Sequence, residues 1–284
     1  MSAEALIAAS DALRAAGVED PRLDAELMLA EATGWDRARL AAEPDADLPP
    51  AAGRRFGEMV RRRLRREPVA YILGRRGFRQ IELAVDPRVL IPRPETELLV
   101  ELALDLQPRR LLDVGTGSGA IALAVAAELP ACAVTATDTS VAALEVAREN
   151  AKRLGLADRV EFVEGMLPAE VGEFELVLAN LPYVSEAEWS ELEPEVTEWE
   201  PREALLAGPQ GLDAIRTFLL DISESVRLLS SQAGQKTNAA LVIALEVGKG
   251  QAGAVRGLLR AAGFGSTEVR LDLAGIERVV IGRR

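Results

Sequence analysis

Three stretches of this 284-residue chain carry residue types and spacings that could do chemistry. The first is Asp113-Val114-Gly115-Thr116-Gly117-Ser118-Gly119-Ala120, where an apolar run ends in an acid and glycines alternate into a segment of helical character. Glycines at such a junction let the backbone turn tightly and let a flat ligand lie against it without meeting a Cβ. The helix N-terminus beyond them offers free N–H groups to a carboxylate or other anionic group. The second is Asp138, which closes the apolar run 133–137 and is placed to accept both hydroxyls of a ribose. The third is Asn180-Leu181-Pro182-Tyr183, at the end of the apolar run 174–179. Together they read as a nucleotide-like cofactor site followed by a motif that has no place in the dinucleotide fingerprint.

The loop alone leaves the cofactor open. Gly115, Gly117 and Ala120 also fit the dinucleotide pattern with alanine in its last position. A nicotinamide dehydrogenase would use the same loop and Asp138. It would leave Asn180 to Tyr183 without a role, and it needs an acid–base group in a chain with no histidine. A non-enzymatic cofactor-binding module leaves the third stretch equally unexplained.

With these stretches on the page, the chain resembles the class I S-adenosylmethionine-dependent methyltransferases that modify planar NH2 groups. Asp113-x-Gly115-x-Gly117-x-Gly119 is similar to their cofactor loop, and Asn180-Leu181-Pro182-Tyr183 to their Asn-Pro-Pro-Tyr substrate motif. Within that group it resembles the HemK/PrmC family, the peptide chain release factor glutamine N5-methyltransferases. Further landmarks stand in family order: Arg66-Glu67-Pro68-Val69-Ala70-Tyr71-Ile72-Leu73-Gly74, Ile91-Pro92-Arg93-Pro94-Glu95-Thr96-Glu97, Glu200-Pro201-Arg202 and Asp272-Leu273-Ala274-Gly275.

The resemblance implies S-adenosyl-L-methionine as cofactor, held by Asp113, Gly115, Thr116, Gly117, Ser118, Gly119, Asp138, Met166 and Asn180. It implies Asn180, Pro182 and Tyr183 as catalytic residues, with Leu181 joining them in binding substrate. The substrate it implies is the Gly-Gly-Gln glutamine of class I release factors, and hence a role in translation termination. Two positions depart from the family. Met166 and Leu167 follow the third strand with no acid between them, which leaves an apolar contact to adenine but no side-chain acceptor for its amine. Leu181 stands where the family has proline; if residue 181 contributes only its backbone carbonyl, that change costs rigidity alone. Leu181 also brings the chain closer to the ribosomal RNA adenine dimethyltransferases, the alternative reading, against which the net acidity stands.

The elements that must position these residues follow the same logic. Residues 110–114, 133–137, 160–164, 174–179 and 239–247 read as buried strands separated by helical segments. Residues 267–271 and 277–281 read as an antiparallel hairpin at the sheet edge. The expected fold is α/β, a Rossmann-like seven-stranded mostly parallel sheet with its ligand site at the carboxyl ends of the strands. The catalytic domain is expected over 93–284, with a hairpin linker over 76–92 turning at Asp86-Pro87. Residues 1–75 are expected to form a helical bundle whose second helix buries Leu23, Leu27 and Ala30, and the resemblance implies that it docks the substrate.

Bulk properties bound the rest. The formal net charge is −12, which disfavours nucleic acid as a partner. Arg54, Arg55, Arg61, Arg62, Arg63, Arg65 and Arg66 run against that average, as a solvated basic face or as a docking surface. The single Cys132 excludes an internal disulfide, and the absence of histidine removes Ser-His-Asp and His-metal chemistry; no metal is expected. No apolar run approaches membrane-spanning length and the first residues mix acids with alanines, unlike a signal peptide. A cytoplasmic monomer is therefore expected. The polar stretch 230–238 has no functional account from sequence.

Overall fold

A computed structural model describes residues 1–168, 171–232 and 241–284, in two compact units. The first comprises Met1–Arg75 and Glu193–Trp199. It holds α1 (Ser2–Ala15), α2 (Pro21–Thr33), α3 (Arg37–Ala42), α4 (Pro50–Leu64) and α5 (Val69–Leu73). Pro21 and Pro50 open their helices, where a missing N–H costs nothing. Leu6, Leu13, Met28, Leu29 and Phe56 pack at its centre. The stripe expected on α2 is on the wrong face: Leu23 is exposed and Leu27 and Ala30 only half-buried, while Ala25, Met28 and Leu29 are buried. The reason is Asp24, whose carboxylate accepts from the buried Arg63 side chain at 2.7 Å and so turns that side of the helix inward.

The second unit comprises Arg76–Leu192 and Glu200–Arg284. In chain order come β1 (Arg75–Phe78), β2 (Ile81–Ala84), α6 (Glu97–Leu106), β3 (Arg110–Val114), α7 (Ala120–Glu128), β4 (Ala133–Asp138), α8 (Val141–Arg153), β5 (Val160–Glu164) and β6 (Leu176–Ala179). There follow α9 (Glu186–Trp189), α10 (Pro194–Thr197, in the helical unit), α11 (Asp213–Gln232), β7 (Val242–Glu246), α12 (Ala252–Ala261), β8 (Ser266–Leu271) and β9 (Glu277–Arg283). Seven strands form one sheet in the order β5-β4-β3-β6-β7-β9-β8, parallel except for the pairings of β9 with β7 and β8. The expected sheet and terminal hairpin are therefore present. Residues 239, 240 and 233–238 of the expected strand and polar stretch lie outside the described residues.

Parallel strands are covered on both faces, which is why β3, β6 and β7 read as almost unbroken apolar runs. Helix α7, buried from Ala120 to Ala126, covers one face beside α6. Helices α11 and α12 bring Ile215, Phe218, Ile222 and Val255 to the other. The first hairpin departs from expectation: its turn is Arg79-Gln80, not Asp86-Pro87. Arg79 takes a left-handed φ of 49° because its N–H donates to Glu97 Oε1 at 3.0 Å and its guanidinium binds both Glu128 oxygens. Asp86 instead clamps the Arg88 side chain.

Candidate active site

Sheet register brings the chemistry-bearing residues together. Thr137 of β4, Val114 of β3, Ala179 of β6 and Leu245 of β7 lie side by side in one row. The next residue on each strand, toward its carboxyl end, is Asp138, Gly115, Asn180 and Glu246. An acid, a glycine, an amide and a second acid thus stand in sequence across the switch from leftward to rightward connections, where an open α/β sheet leaves a crevice. That crevice has a volume of about 480 Å³, within the usual range for small-molecule sites, and is lined by Gly115, Gly117, Asp138, Met166, Asn180, Leu181 and Pro182 among others.

The glycine loop is built on Asp113. This side chain is wholly buried; its Oδ2 accepts from Thr116 Oγ1 at 2.7 Å and from the Ala122 N–H at 3.1 Å, and its Oδ1 has no partner. Burial pushes the carboxyl up to about 7, against those two bonds. Thr116 and Ser118 are buried, and neither they, Asp113 nor Gly119 line the crevice. These four expected cofactor residues shape the loop from below. Gly119 holds φ at 85° where a Cβ would strike Leu123. Gly117 differs, with φ at 55° and nothing within 4 Å of a Cβ position. Its N–H donates to Asp138 Oδ2 at 2.9 Å, while Asp138 Oδ1 accepts from the Ser140 N–H at 2.8 Å. Burial raises the Asp138 carboxyl above its ordinary value. Each of its oxygens keeps capacity for one more donor. The buried Asn150 amide, which sequence reasoning missed, donates to Ser118 O at 2.9 Å and to Ala84 O, and accepts from the Ala84 N–H.

Asn180 is oriented by a residue 84 positions away. Its Nδ2 donates to Thr96 Oγ1 at 3.1 Å, which leaves Oδ1 as the free acceptor of the amide. Thr96 sits in the 3₁₀ turn Pro94–Thr96, just ahead of α6. The Leu181 side chain is buried, and a Cβ on Gly115 would lie 3.4 Å from its Cδ2. Residue 181 therefore contributes more than a carbonyl: its side chain fills the space between two loops. Tyr183 does not line the crevice. Its hydroxyl donates to Glu246 Oε1 at 3.4 Å, and its carbonyl accepts from Gln251 Nε2 at 2.8 Å. Met166 lines the crevice, and its carbonyl accepts from Thr137 Oγ1 at 2.9 Å. Arg93 and the Ile91 N–H both bind the buried Glu200 carboxylate, which ties two of the sequence landmarks together.

Four arginines of the basic stretch pair with acids of the helical unit, and of these only Arg63 is buried. Arg55 pairs with Glu31, Arg62 with Glu67, Arg63 with Asp24 and Glu195, and Arg66 with Glu193 and Glu195. Arg54, Arg61 and Arg65 remain exposed. Among the described residues no group of histidine, cysteine, aspartate or glutamate could hold a metal, and no helix is long and apolar enough to cross a membrane.

Comparison with known proteins gives two family matches, the PrmC N-terminal domain over residues 4–74 and the methyltransferase small domain over residues 94–195. A release factor glutamine methyltransferase of Caulobacter vibrioides is 42% identical over 98% of this chain and 95% of its own length. One of Moorella thermoacetica is 42% identical over 96% and 94%. Among solved structures, the hMettl16 catalytic domain in complex with a MAT2A 3′UTR hairpin superposes with a TM-score of 0.53 at 17% identity. That match covers 70% of this chain and 75% of the other, and it speaks to the fold alone.

Proposed function

This chain belongs to the release factor glutamine methyltransferase family, and from that premise we propose that it transfers a methyl group from S-adenosyl-L-methionine to the side-chain amide nitrogen of the Gly-Gly-Gln glutamine of class I release factors. The observation that carries this reading is the row Asp138, Gly115, Asn180 at one crevice, with the Asn180 amide turned so that its oxygen is free.

The residues present fit such a cofactor. Gly117 offers open space where any side chain would intrude, and Asp138 keeps acceptor capacity for two ribose hydroxyls. Met166 supplies an apolar surface for the adenine. Asp113, Thr116, Ser118 and Gly119 act by holding the loop in shape. When bound, the cofactor supplies an electrophilic methyl on a sulfonium.

The chain's own residues do the rest by orientation. A glutamine amide nitrogen is a poor nucleophile, because its lone pair is delocalised into the carbonyl. Asn180 Oδ1 and the Leu181 carbonyl accept the two N–H bonds of the substrate amide and aim the lone pair along the line of transfer. Pro182 forms the wall against the planar group, and Tyr183, which the resemblance placed beside it as a catalytic residue, acts from behind, held by Glu246 and Gln251. No side-chain base is required, since an amide nitrogen that has gained a methyl is acidic enough to release its proton to water. Residues 1–75 are the substrate-docking domain, 76–92 the linker and 93–284 the catalytic domain in this reading. The protein acts as a cytoplasmic monomer without direct nucleic-acid contact, consistent with its net charge of −12.

Incubation with isotopically labelled S-adenosylmethionine and a class I release factor, followed by mass mapping, tests the proposal. One added methyl on the Gly-Gly-Gln glutamine is the expected result. Methyl transfer to adenine in RNA, or none to the release factor, would overturn it.

A further inference from the structure

Gln251 belongs to no motif that the proposed function uses. It closes the turn Val247-Gly248-Lys249-Gly250 after β7 and stands at the head of α12. Both polar atoms of its side chain are engaged. Nε2 donates to two carbonyls, Tyr183 O at 2.8 Å and Gly211 O at 3.3 Å, and Oε1 accepts from the Gly248 N–H at 2.9 Å. These partners leave the amide one orientation, because a turned amide would set its oxygen against two carbonyl oxygens.

Two glycines make room for this arrangement. A Cβ on Gly211 would strike the Tyr183 carbonyl oxygen, and one on Gly248 would lie 3.2 Å from Tyr183 Cδ2. Tyr183 is thus held at three points by the end of β7 and the turn after it: its hydroxyl by Glu246, its ring against Gly248, its carbonyl by Gln251. The next residue, Val184, donates its N–H to Leu205 O at 2.8 Å and accepts from the Ala207 N–H at 2.8 Å. The loop from Asn180 to Tyr183 therefore has fixed ends, the upstream one being Ala179 in the sheet and the Asn180–Thr96 bond.

What lies between those ends has few ways to move. Peptide bonds are planar, and the ring of Pro182 locks its φ at about −65°. Clamping the Tyr183 carbonyl then leaves the Leu181 carbonyl little room to swing. We infer that Gln251 is a positioning residue for methyl transfer, which holds the Tyr183 carbonyl and so sets the direction from which the Leu181 carbonyl meets the substrate amide. This rests on the proposed amide methylation. It gives the second acceptor of that amide a support, as Thr96 supports the first.

The test compares wild type with Gln251→Glu and Gln251→Met in methylation of the release factor at saturating cofactor, from pH 6 to 9. At pH 8.5 both variants should lose about 10–100-fold in kcat, the range seen when an outer partner that orients a functional group is lost. KM for the release factor and the calorimetric Kd of S-adenosylhomocysteine should stay within about threefold of wild type. The two variants should part company on acidification. Glutamate has the shape of glutamine and keeps an acceptor for the Gly248 N–H. Protonated, it donates a hydrogen to the Tyr183 carbonyl; ionised, it sets a charged oxygen against two carbonyls. Those carbonyls and the nearby Glu246 carboxylate raise its pKa. Its kcat should therefore return toward wild type near pH 6, a reversal that a misfolded protein would not show, while Gln251→Met stays low throughout. Glu246, which burial pushes up to about 7, titrates in all three proteins, so each ratio is taken against wild type at the same pH. Hydrogen exchange followed by mass spectrometry should be faster over residues 181–185 in both variants at pH 8.5, with β7 and the rest of α12 unchanged. Wild-type kcat in both variants at pH 8.5, a loss confined to KM or to cofactor affinity, or a pH-independent deficit in Gln251→Glu would each overturn the inference. A wild-type enzyme that leaves the release factor unmethylated would instead overturn the proposed function. Exchange over 181–185 would then decide on the clamp, and unchanged rates in the variants would overturn it.

Discussion

Replacing Asp138 with alanine removes an acid that serves two purposes, and the structure separates their sizes. Toward the cofactor, the side chain would lose two charge-assisted hydrogen bonds to ribose hydroxyls, each worth about 1.5–3 kcal/mol. Their sum is about 3–6 kcal/mol, or roughly 10²–10⁴-fold in Kd at 1.4 kcal/mol per decade. Toward the protein, the Gly117 and Ser140 N–H groups lose their acceptor. Both flank an open crevice where water can replace it, so the fold should lose only about 1 kcal/mol, the net value of an ordinary hydrogen bond. Calorimetric titration with S-adenosylhomocysteine measures the first effect and thermal denaturation without ligand the second. Because burial raises the Asp138 carboxyl, wild-type affinity should also weaken on acidification earlier than for an exposed aspartate. A variant that folds normally and binds within threefold of wild type would place the ribose elsewhere and refute the argument.

Asn180→Ala should lower kcat by roughly 10²–10³-fold, as when one preorganised polar group is removed from a transition state. Cofactor Kd should shift far less than in Asp138→Ala, and steady-state kinetics with parallel calorimetry checks the contrast. Asn150→Leu strands three backbone groups, the buried Ser118 C=O and the half-buried Ala84 N–H and C=O. At about 1–3 kcal/mol for each unsatisfied group, partly relieved by relaxation, urea denaturation should show a loss of about 2–5 kcal/mol. Asp113→Asn should flatten the pH dependence of stability. The wild-type carboxyl titrates from 3.8 unfolded to about 7 folded, so its contribution is present below pH 3.8 and lost as pH rises through 7. The melting temperature of the variant should gain on wild type between pH 4 and 7 and run parallel above 8.

The parts of the site legible in the sequence are those that one segment of chain dictates. A strand that ends in an acid and runs into alternating glycines can only turn and start a helix, which is why Asp113 to Ala120 and the α7 boundary follow from their own residues. What was not legible is held by bonds between distant segments. Thr96 meets Asn180 across 84 residues, Asn150 meets Ala84 across 66, and Arg66 meets Glu195 across 129. Hydrophobic periodicity carries no information about which acid will satisfy which arginine. The basic stretch therefore read as an exposed run, which Arg54, Arg55, Arg61 and Arg65 are, but not as one in which Arg55, Arg62, Arg63 and Arg66 each have an acid partner. The turn at Arg79 was hidden for the same reason, since its left-handed backbone is held by Glu97 and Glu128 rather than by its own residue type.

Glu246 lies between these two cases. Asp113 and Asp138 drew attention because each is a polar residue at the carboxyl end of an apolar strand, and Glu246 ends β7 in the same way. It too is followed by glycines, in Val247-Gly248-Lys249-Gly250, but by two where Asp113 is followed by three. Once β3 and β6 are paired in parallel, the register that puts Gly115 beside Asn180 also fixes the residue of β7 that stands on Asn180's other side.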